Sequence, residues 1–301
     1  MTIVPPYLKK GDTIGIVASV RKVTAEEIKP AQQLFAHSGF DIKLSNNIFE
    51  EHNQYAGTDE QRAADFMQMI LDDNVKAIIC ARGGYGSIRL VDFLDFDAIQ
   101  RNPKWFCGYS DTTVIHTILN SMDIQSLHST MPINFPPDGL LNISTASLIA
   151  ALTGEKIAIN ASYNDLNIPG SVTGELVGGN LSLIYSLSGT PFQAKAKNKI
   201  LFLEDLEEYL YHIDRMMINL ALCGTLADVS AVVVGYMNNM NDNKVPFGKT
   251  AEEIIHEHVA KFGIPLAFGL PAGHLEPNYT LKFGAQYQLN ISKNGTTLVE
   301  I

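Results

Sequence analysis

Cysteine is scarce. The 301 residues hold three, Cys80, Cys107 and Cys223, and no two fall in a CxxC or Cys/His spacing. That spacing gives neither a disulfide framework nor a metal-ligand set. Each lies in an apolar stretch (AIICARGG, KWFCGYS, LALCGTL), so all three are expected to be buried free thiols, as suits a reducing compartment. Positive charge is in deficit too: 22 Lys and Arg against 32 Asp and Glu give a net charge of −10. Phosphate neutralisation needs a Lys/Arg surplus, so nucleic acid is not an expected partner. No apolar run approaches the ~20 residues that span a membrane. The opening MTIVPPYLKKGDTIGIVAS has no secretory layout, because IGIVAS is too short and follows a Gly-Asp turn. The expectation is a cytoplasmic protein with no membrane segment. No internal repeat or low-complexity segment is visible.

What is present is a globular chain, 46% apolar and 18% charged, long enough for two domains. Short apolar runs at 13–18, 41–44, 75–81 and 105–108 read as strands. Between them, 24–38, 59–72, 87–93 and 112–121 read as helices. The run 75–81 is continuously apolar, as in a parallel strand covered on both faces. This alternation predicts a wound α/β domain with a mostly parallel sheet. The pattern changes between 132 and 168, giving an N-terminal domain over 1–140, a linker region over 141–170 and a C-terminal domain over 171–301. The last part has strands at 199–203, 230–234 and 265–268, helices at 207–222 and 250–262, and a terminal hairpin around Lys293-Asn294-Gly295.

One segment sets an apolar strand against an immediate helix start: KWFCGYSDTTVIH. A strand–turn–helix of this kind can lift the Ser110 hydroxyl clear of the sheet, beside backbone N–H groups able to hold an oxyanion. Thr112 stands where G-x-S-x-G would have its last glycine, and Ser110 or Asp111 as a helix N-cap explains the same residues. A serine nucleophile needs a base. His256 and His258 face different ways on one helix. His37 and His52 are in surface-like contexts, His116 points off the turn, and His212 sits within a helix. His128 in QSLHSTMP and His274 in FGLPAGHLEPN, both in loop-like stretches near strand ends, remain equal candidates. The base needs an orienting carboxylate. Glu204 follows the strand 199–203 and is the candidate, while Asp205, Glu207 and Glu208 read as acids at the start of the next helix. The turn ARGGYGS could bring backbone N–H groups to a ligand, as a phosphate cradle or an oxyanion donor. It lacks the Gly-Lys-Ser/Thr of a P-loop. TGELVGGNLSLIYSLSGTP joins the domains, and its glycines read equally as tight turns or as packing positions. Cys107 lies inside its strand and is a poor amidotransferase nucleophile.

Taken together, LKKGD, GTDEQRAAD, ARGGYGSIRLVDFLDF, PKWFCGYSDTTVIH, TGELVGGNLSLIYSLSGTP, ILFLEDLEEYLYHIDRM and FGLPAGH resemble, in order and over nearly the whole chain, the LD-carboxypeptidase family, the S66 serine peptidases. That group holds murein tetrapeptide carboxypeptidases and microcin C immunity-type peptidases. The resemblance implies a wound α/β N-terminal domain with a smaller β-rich C-terminal domain, and a homodimer. It implies a triad of Ser110 as nucleophile, Glu204 as orienter and His274 as base. It also implies an oxyanion hole from the backbone N–H groups of Asp111 and of the Arg82-Gly83-Gly84 turn, Gly84 being favoured. No cofactor or metal is expected. The implied substrate is a small murein-derived peptide losing a terminal D-alanine, with Arg82 as the candidate for its carboxylate. The alternatives are a microcin-type peptidase acting on an aminoacyl- or peptidyl-adenylate-like amide, and a non-catalytic sensor binding a peptide or nucleotide at ARGGYG. Two departures from the family pattern stand out: Val17-Ala18-Ser19-Val20 where many members have Ala-Pro-Ser, and His212 in place of an arginine.

Overall fold

A computed structural model describes residues 2–301. Two sheets carry the molecule. The first contains β1 (Thr13–Val17), β2 (Asp41–Leu44), β3 (Val75–Cys80), β4 (Trp105–Gly108) and β5 (Ser126–His128), all parallel, in the order 2-1-3-4-5. The second is built from β6 (Ala158–Ala161), β7 (Gly170–Asn180), β8 (Ile200–Leu206), β9 (Ala231–Asn238), β10 (Leu266–Ala267), β12 (Gln286–Ser292) and β13 (Gly295–Glu300). There β7 to β10 run parallel, while β12, β13 and β6 add an antiparallel flank. Between them in sequence, β11 (Leu281–Phe283) leaves the second sheet and pairs antiparallel with β5, at the edge of the first. The fold is thus the expected α/β arrangement, a mostly parallel sheet followed by a β-rich one. The stretch 141–170 carries a helix, Ile143–Leu152, and β6, so it is more than a connector.

The alternating pattern explains the layers. In β3, Ala77 and Ile79 face one apolar cluster with Leu34, Phe35 and Trp105, while Ile78 and Cys80 face the other with Phe66, Met69 and Phe106. Both faces are covered by helices, which is why the run is apolar throughout. Two of those helices start where the sequence provides a Thr-x-x-Glu/Gln box, Thr24 with Glu27 and Thr58 with Gln61, and a helix on the second sheet starts in the same way at Thr250 with Glu253. In each, the threonine hydroxyl accepts from the third helical N–H, and the acid or amide side chain accepts from the threonine N–H. No helix among the described residues is long and apolar enough to cross a membrane.

Several expectations need correction. Residues 87–93 form a 3-10 helix rather than an α-helix. Cys80 and Cys107 are buried, but Cys223 is exposed at the end of the helix Leu210–Leu222. Of its apolar neighbours Leu220 is buried but Leu222 is exposed, and the helix ends there with Gly224 in the left-handed region (φ 87°). The helix expected from 207 starts at Leu210. Glu204 and Asp205 belong to β8 itself, so Asp205 is no helix-start acid.

The glycines of TGELVGGN were open to two readings, tight turns or packing, and the structure decides for packing. They lie in β7, an 11-residue strand. Gly178 pairs with Phe202 of β8, and a Cβ on it would come within 1.9 Å of the Phe202 carbonyl oxygen. Its φ of 137° is also one that L side chains rarely adopt. These glycines mark close backbone approach, not a bend. Gly178→Ala is therefore expected to cost at least ~2 kcal/mol of stability, from backbone strain plus overpacking. Urea denaturation measures this, and a loss below ~0.5 kcal/mol, ordinary for an innocuous surface change, would refute the close-approach account.

Candidate active site

The strand order 2-1-3-4-5 reverses between β1 and β3, and a crevice opens outside the carboxyl ends of such strands. The loops after β1, β3 and β4 meet there. Arg62 is buried and staples two of them, its Nη1 donating to the Ser19 carbonyl at 2.7 Å and to the Gly86 carbonyl at 3.2 Å. Its Nη2 pairs with Asp59. The third loop is tied by Asp111, whose Oδ2 accepts from the Ser87 N–H at 2.7 Å. Burial pushes the Asp111 carboxyl up, against the opposing pull of the Ser87 hydrogen bonds.

Ser110 sits at the tip of that third loop with φ 65°. A non-glycine residue in the left-handed region is uncommon and signals a position held by its surroundings. The helix-cap explanation does not describe what is seen. Neither the 3-10 turn at Ser110–Thr112 nor the helix Thr113–Ser121 has a side-chain cap, and the Asp111 carboxylate reaches across to Ser87 instead. The geometry is a sharp strand-to-helix elbow. Across from it, a Cβ on Gly83 would come within 3.3 Å of the Ser110 Oγ, so the bare backbone of the Arg82–Gly84 turn leaves that hydroxyl room.

The other sheet brings the acid and the imidazole. Pairing between β8 and β9 slips between Leu203 and Asp205, an irregularity of the kind that re-aims a side chain. Glu204 is fully buried at this slip. His274 follows β10, in a loop fixed by the Gly273 N–H donating to Asn278 Oδ1 at 3.0 Å and the Asn278 N–H donating to Ser144 Oγ at 2.7 Å. Gly273 has φ 122°, and a Cβ there would press on Glu204 Oε2 at 2.9 Å. The bare glycine lets His274 Nδ1 reach Glu204 Oε2 at 2.6 Å. With Nδ1 donating, Nε2 is the nitrogen left free to accept a proton.

Electrostatics follow from this contact. Burial pushes Glu204 up, but the charge and hydrogen bond of His274 and the attraction of His128 outweigh it, holding the carboxyl well below its ordinary range. Burial alone would lower His274, yet the Glu204 carboxylate raises it overall. Asp205, next door, points elsewhere. It accepts from Asn180 Nδ2 at 2.8 Å, Ser182 N at 2.9 Å and Leu206 N at 2.9 Å. Burial and the neighbouring Glu204 charge push it up to about 7. The Asn180 N–H in turn donates to Thr113 Oγ1 at 3.0 Å, locking β7 to the helix that begins beside Ser110.

Ser110 and His274 line one cavity of about 400 Å³, together with Tyr109, Gly84, Arg82 and Arg21. Among the described residues no hydrogen bond joins Ser110 to His274. Glu204 stands one layer behind, and His128 is fully buried rather than part of the cavity wall. Access therefore separates two histidines that local sequence left equal. Arg82 is at the cavity but pairs with Glu27 at 3.3 Å. Arg21 was not anticipated: its side chain crosses Gly84, where a Cβ would meet Arg21 Cδ at 2.6 Å. Nothing local marks it, because the approach depends on two loops meeting.

Residues 14–129 match the family described as LD-carboxypeptidase N-terminal domain, and residues 173–289 match the LD-carboxypeptidase C-terminal domain. A Bacillus subtilis (strain 168) protein named probable murein peptide carboxypeptidase is 32% identical over 300 residues, covering 98% of this chain and 94% of its own. The microcin C7 self-immunity protein MccF of Escherichia coli is 26% identical, covering 97% of this chain and 94% of its own. The crystal structure of muramoyltetrapeptide carboxypeptidase from Oxalobacter formigenes superposes with a TM-score of 0.88 at 27% identity, covering 96% of this chain and 98% of that one.

The buried pair should leave a pH signature. A carboxyl whose folded value is depressed stabilises above its ordinary 4.5 and loses that stabilisation as pH falls. An imidazole whose folded value is raised stabilises below its ordinary 6.5 and loses that as pH rises through the folded value. The stability advantage of the wild type over Glu204→Gln is therefore expected to peak between those two limits and narrow on both sides. Urea midpoints of both proteins from pH 3 to 9 test this, and a pH-independent difference would contradict it.

Proposed function

The chain belongs to the LD-carboxypeptidase family, and from that premise we propose that it is a serine carboxypeptidase that hydrolyses an L,D-peptide bond, releasing terminal D-alanine from murein tetrapeptide. One observation carries the reading: a strained Ser110 elbow shares a cavity with His274, whose far nitrogen is held by buried Glu204.

In this reading His274 Nε2 takes the Ser110 proton as Oγ attacks the peptide carbonyl. The tetrahedral oxyanion is held by the Asp111 N–H and by an N–H of the Arg82–Gly84 turn, with Gly84 assigned. His274 then returns its proton to the leaving amine of D-alanine. Water, deprotonated by the same imidazole, releases the acyl group and regenerates Ser110. Glu204 fixes the tautomer and stabilises the imidazolium; its depressed value keeps it ionised while His274 carries the charge. The free carboxylate of the substrate goes to the guanidinium side of the cavity. Arg82 is already shared with Glu27, whereas Arg21 makes no ion pair among the described residues, so the two are assigned to it together.

A second reading, cleavage of an aminoacyl-adenylate-like amide, draws support from the 26% identical microcin C7 self-immunity protein. Mass spectrometry of products from murein tetrapeptide, L,L-peptides and an aminoacyl-sulfamoyl nucleotide separates the two. Release of D-alanine is the expected result, and cleavage of the nucleotide conjugate alone would replace it with the second reading. Ser110→Ala, verified as folded by circular dichroism, is expected to lose about four to six orders of magnitude in kcat. Retention of most of the activity would defeat the mechanism. Arg21→Ala and Arg82→Ala are each expected to raise KM for the free-acid peptide about tenfold or more with a smaller change in kcat. An unchanged KM in both would remove the carboxylate assignment.

A further inference from the structure

One buried titratable group has no task in that scheme. His128 ends β5 with no exposed surface, and neither ring nitrogen has a hydrogen-bond partner among the described residues. Its Nε2 lies 3.9 Å from Glu204 Oε1. That oxygen is unpartnered as well, while Oε2 is taken by His274. A buried donor and a buried acceptor left unpaired are each costly, and here they face one another.

The surroundings offer neither group another partner. The His128 ring packs among Phe202 at 5.1 Å, Phe283 at 5.5 Å, Tyr109 at 6.0 Å and His116 at 6.3 Å between ring centres. Other titratable groups on these elements are already engaged. His116 is bonded at both nitrogens, to Ser126 Oγ at 2.8 Å and the Gly108 carbonyl at 2.9 Å, and burial holds its pKa down to about 3. The Tyr109 hydroxyl donates to Asn134 Oδ1 at 3.1 Å, and burial pushes its pKa up. On β11, which pairs with β5, Lys282 sends its ammonium to the Glu155 carbonyl and to Glu300. On β8, Asp205 is held by Asn180, Ser182 and Leu206. Glu204, with His274 behind it, is what remains for His128.

We propose that His128 is a positioning residue for this site. Its Nε2–H donates to Glu204 Oε1, so the carboxylate is gripped by an imidazole at each oxygen. The present separation is about 1 Å beyond a normal N–H···O bond. Hydrogen bonds of catalytic groups are often long in the unliganded enzyme and tighten around substrate. The grip does two things. It stops the carboxylate rotating away from His274, and it withdraws part of its negative charge. Without it, Glu204 would attract the His274 proton more strongly, so His274 would stay protonated to higher pH and be a less available base. The inference rests on reading Ser110, His274 and Glu204 as the working set.

The test compares wild type with His128→Leu, which cannot donate, and His128→Gln, which can. His274 is titrated by NMR with 15N-labelled histidine, and kcat/KM for the L,D-tetrapeptide is followed against pH. His128→Leu is expected to move the His274 titration and the acid limb of kcat/KM upward by about half a pH unit or more. It should also lower kcat about ten- to a hundredfold, the scale of one hydrogen bond to a charge. His128→Gln should recover most of both. A folded His128→Leu with an unshifted titration, or a Gln variant as impaired as the Leu variant, overturns the proposal. Should the Leu variant fail to fold, His128→Asn, polar but too short to reach Oε1, takes its place in the same comparison. A wild type that cleaves no L,D-peptide would defeat the proposed function, whereas the NMR titration, which needs no substrate, still decides the role of His128.

Discussion

A carboxylate with no exposed surface sits where the second sheet meets the first, and the site depends on how it is kept charged. Moving an ionised carboxyl out of water is expensive unless partners replace the lost hydration. Glu204 is given one full partner, the His274 ring at 2.6 Å, and a second imidazole at 3.9 Å. The contact with His274 and the seating of β8 itself each require backbone to come unusually close. Gly273 has no side chain, so the His274 loop can lie against the carboxylate. Gly178 has none, so β7 can lie against β8 just before Glu204.

The same packing couples the two sheets. Asn180, the last residue of β7, donates through its backbone to Thr113 and through its side chain to Asp205. The helix beginning at Thr113 is the one that ends the Ser110 elbow. A chain of short contacts thus runs from the acid-bearing strand to the serine-bearing turn, and β11 adds a backbone link by crossing to pair with β5. Ser110 can be held at φ 65° because β4, the Asp111–Ser87 bond and this contact fix the turn from three sides.

Much of this was legible in the residues. Four of the five parallel strands of the first sheet showed as short apolar runs, and in β1, β3 and β4 that follows from both faces being covered. β5 did not show: QSLHSTMP read as loop-like, because three residues are too few to carry a pattern and what makes Ser126–His128 a strand is pairing with β4 and β11. The helix starts expected near 24, 59 and 250 coincide with Thr-x-x-Glu/Gln boxes at Thr24, Thr58 and Thr250, because capping is local chemistry. GYSD after a strand pointed to an elbow, and FLED and LPAGH to groups at strand ends. Less was legible wherever the cause lay elsewhere in the chain. The glycines of TGELVGGN imitate a turn because sequence does not say whether a missing side chain frees a bend or admits a neighbouring strand. Cys223 imitates a core residue because an apolar run such as LALC does not say which of its members face outward, and Leu222 and Cys223 both do. Asp205 imitates a helix-start acid because its partners, Asn180 and Ser182, come from a strand and helix some twenty residues earlier.

By itself, the sequence determined the family, the α/β class and a short set of groups able to do the chemistry, since patterning, capping and motif order are written residue by residue. Tertiary structure decided which histidine reaches the cavity, that Glu204 lies behind it and that Arg21 stands beside Gly84. Those outcomes depend on where strand ends from two sheets converge, and that convergence is set by close backbone approach between segments far apart in the chain.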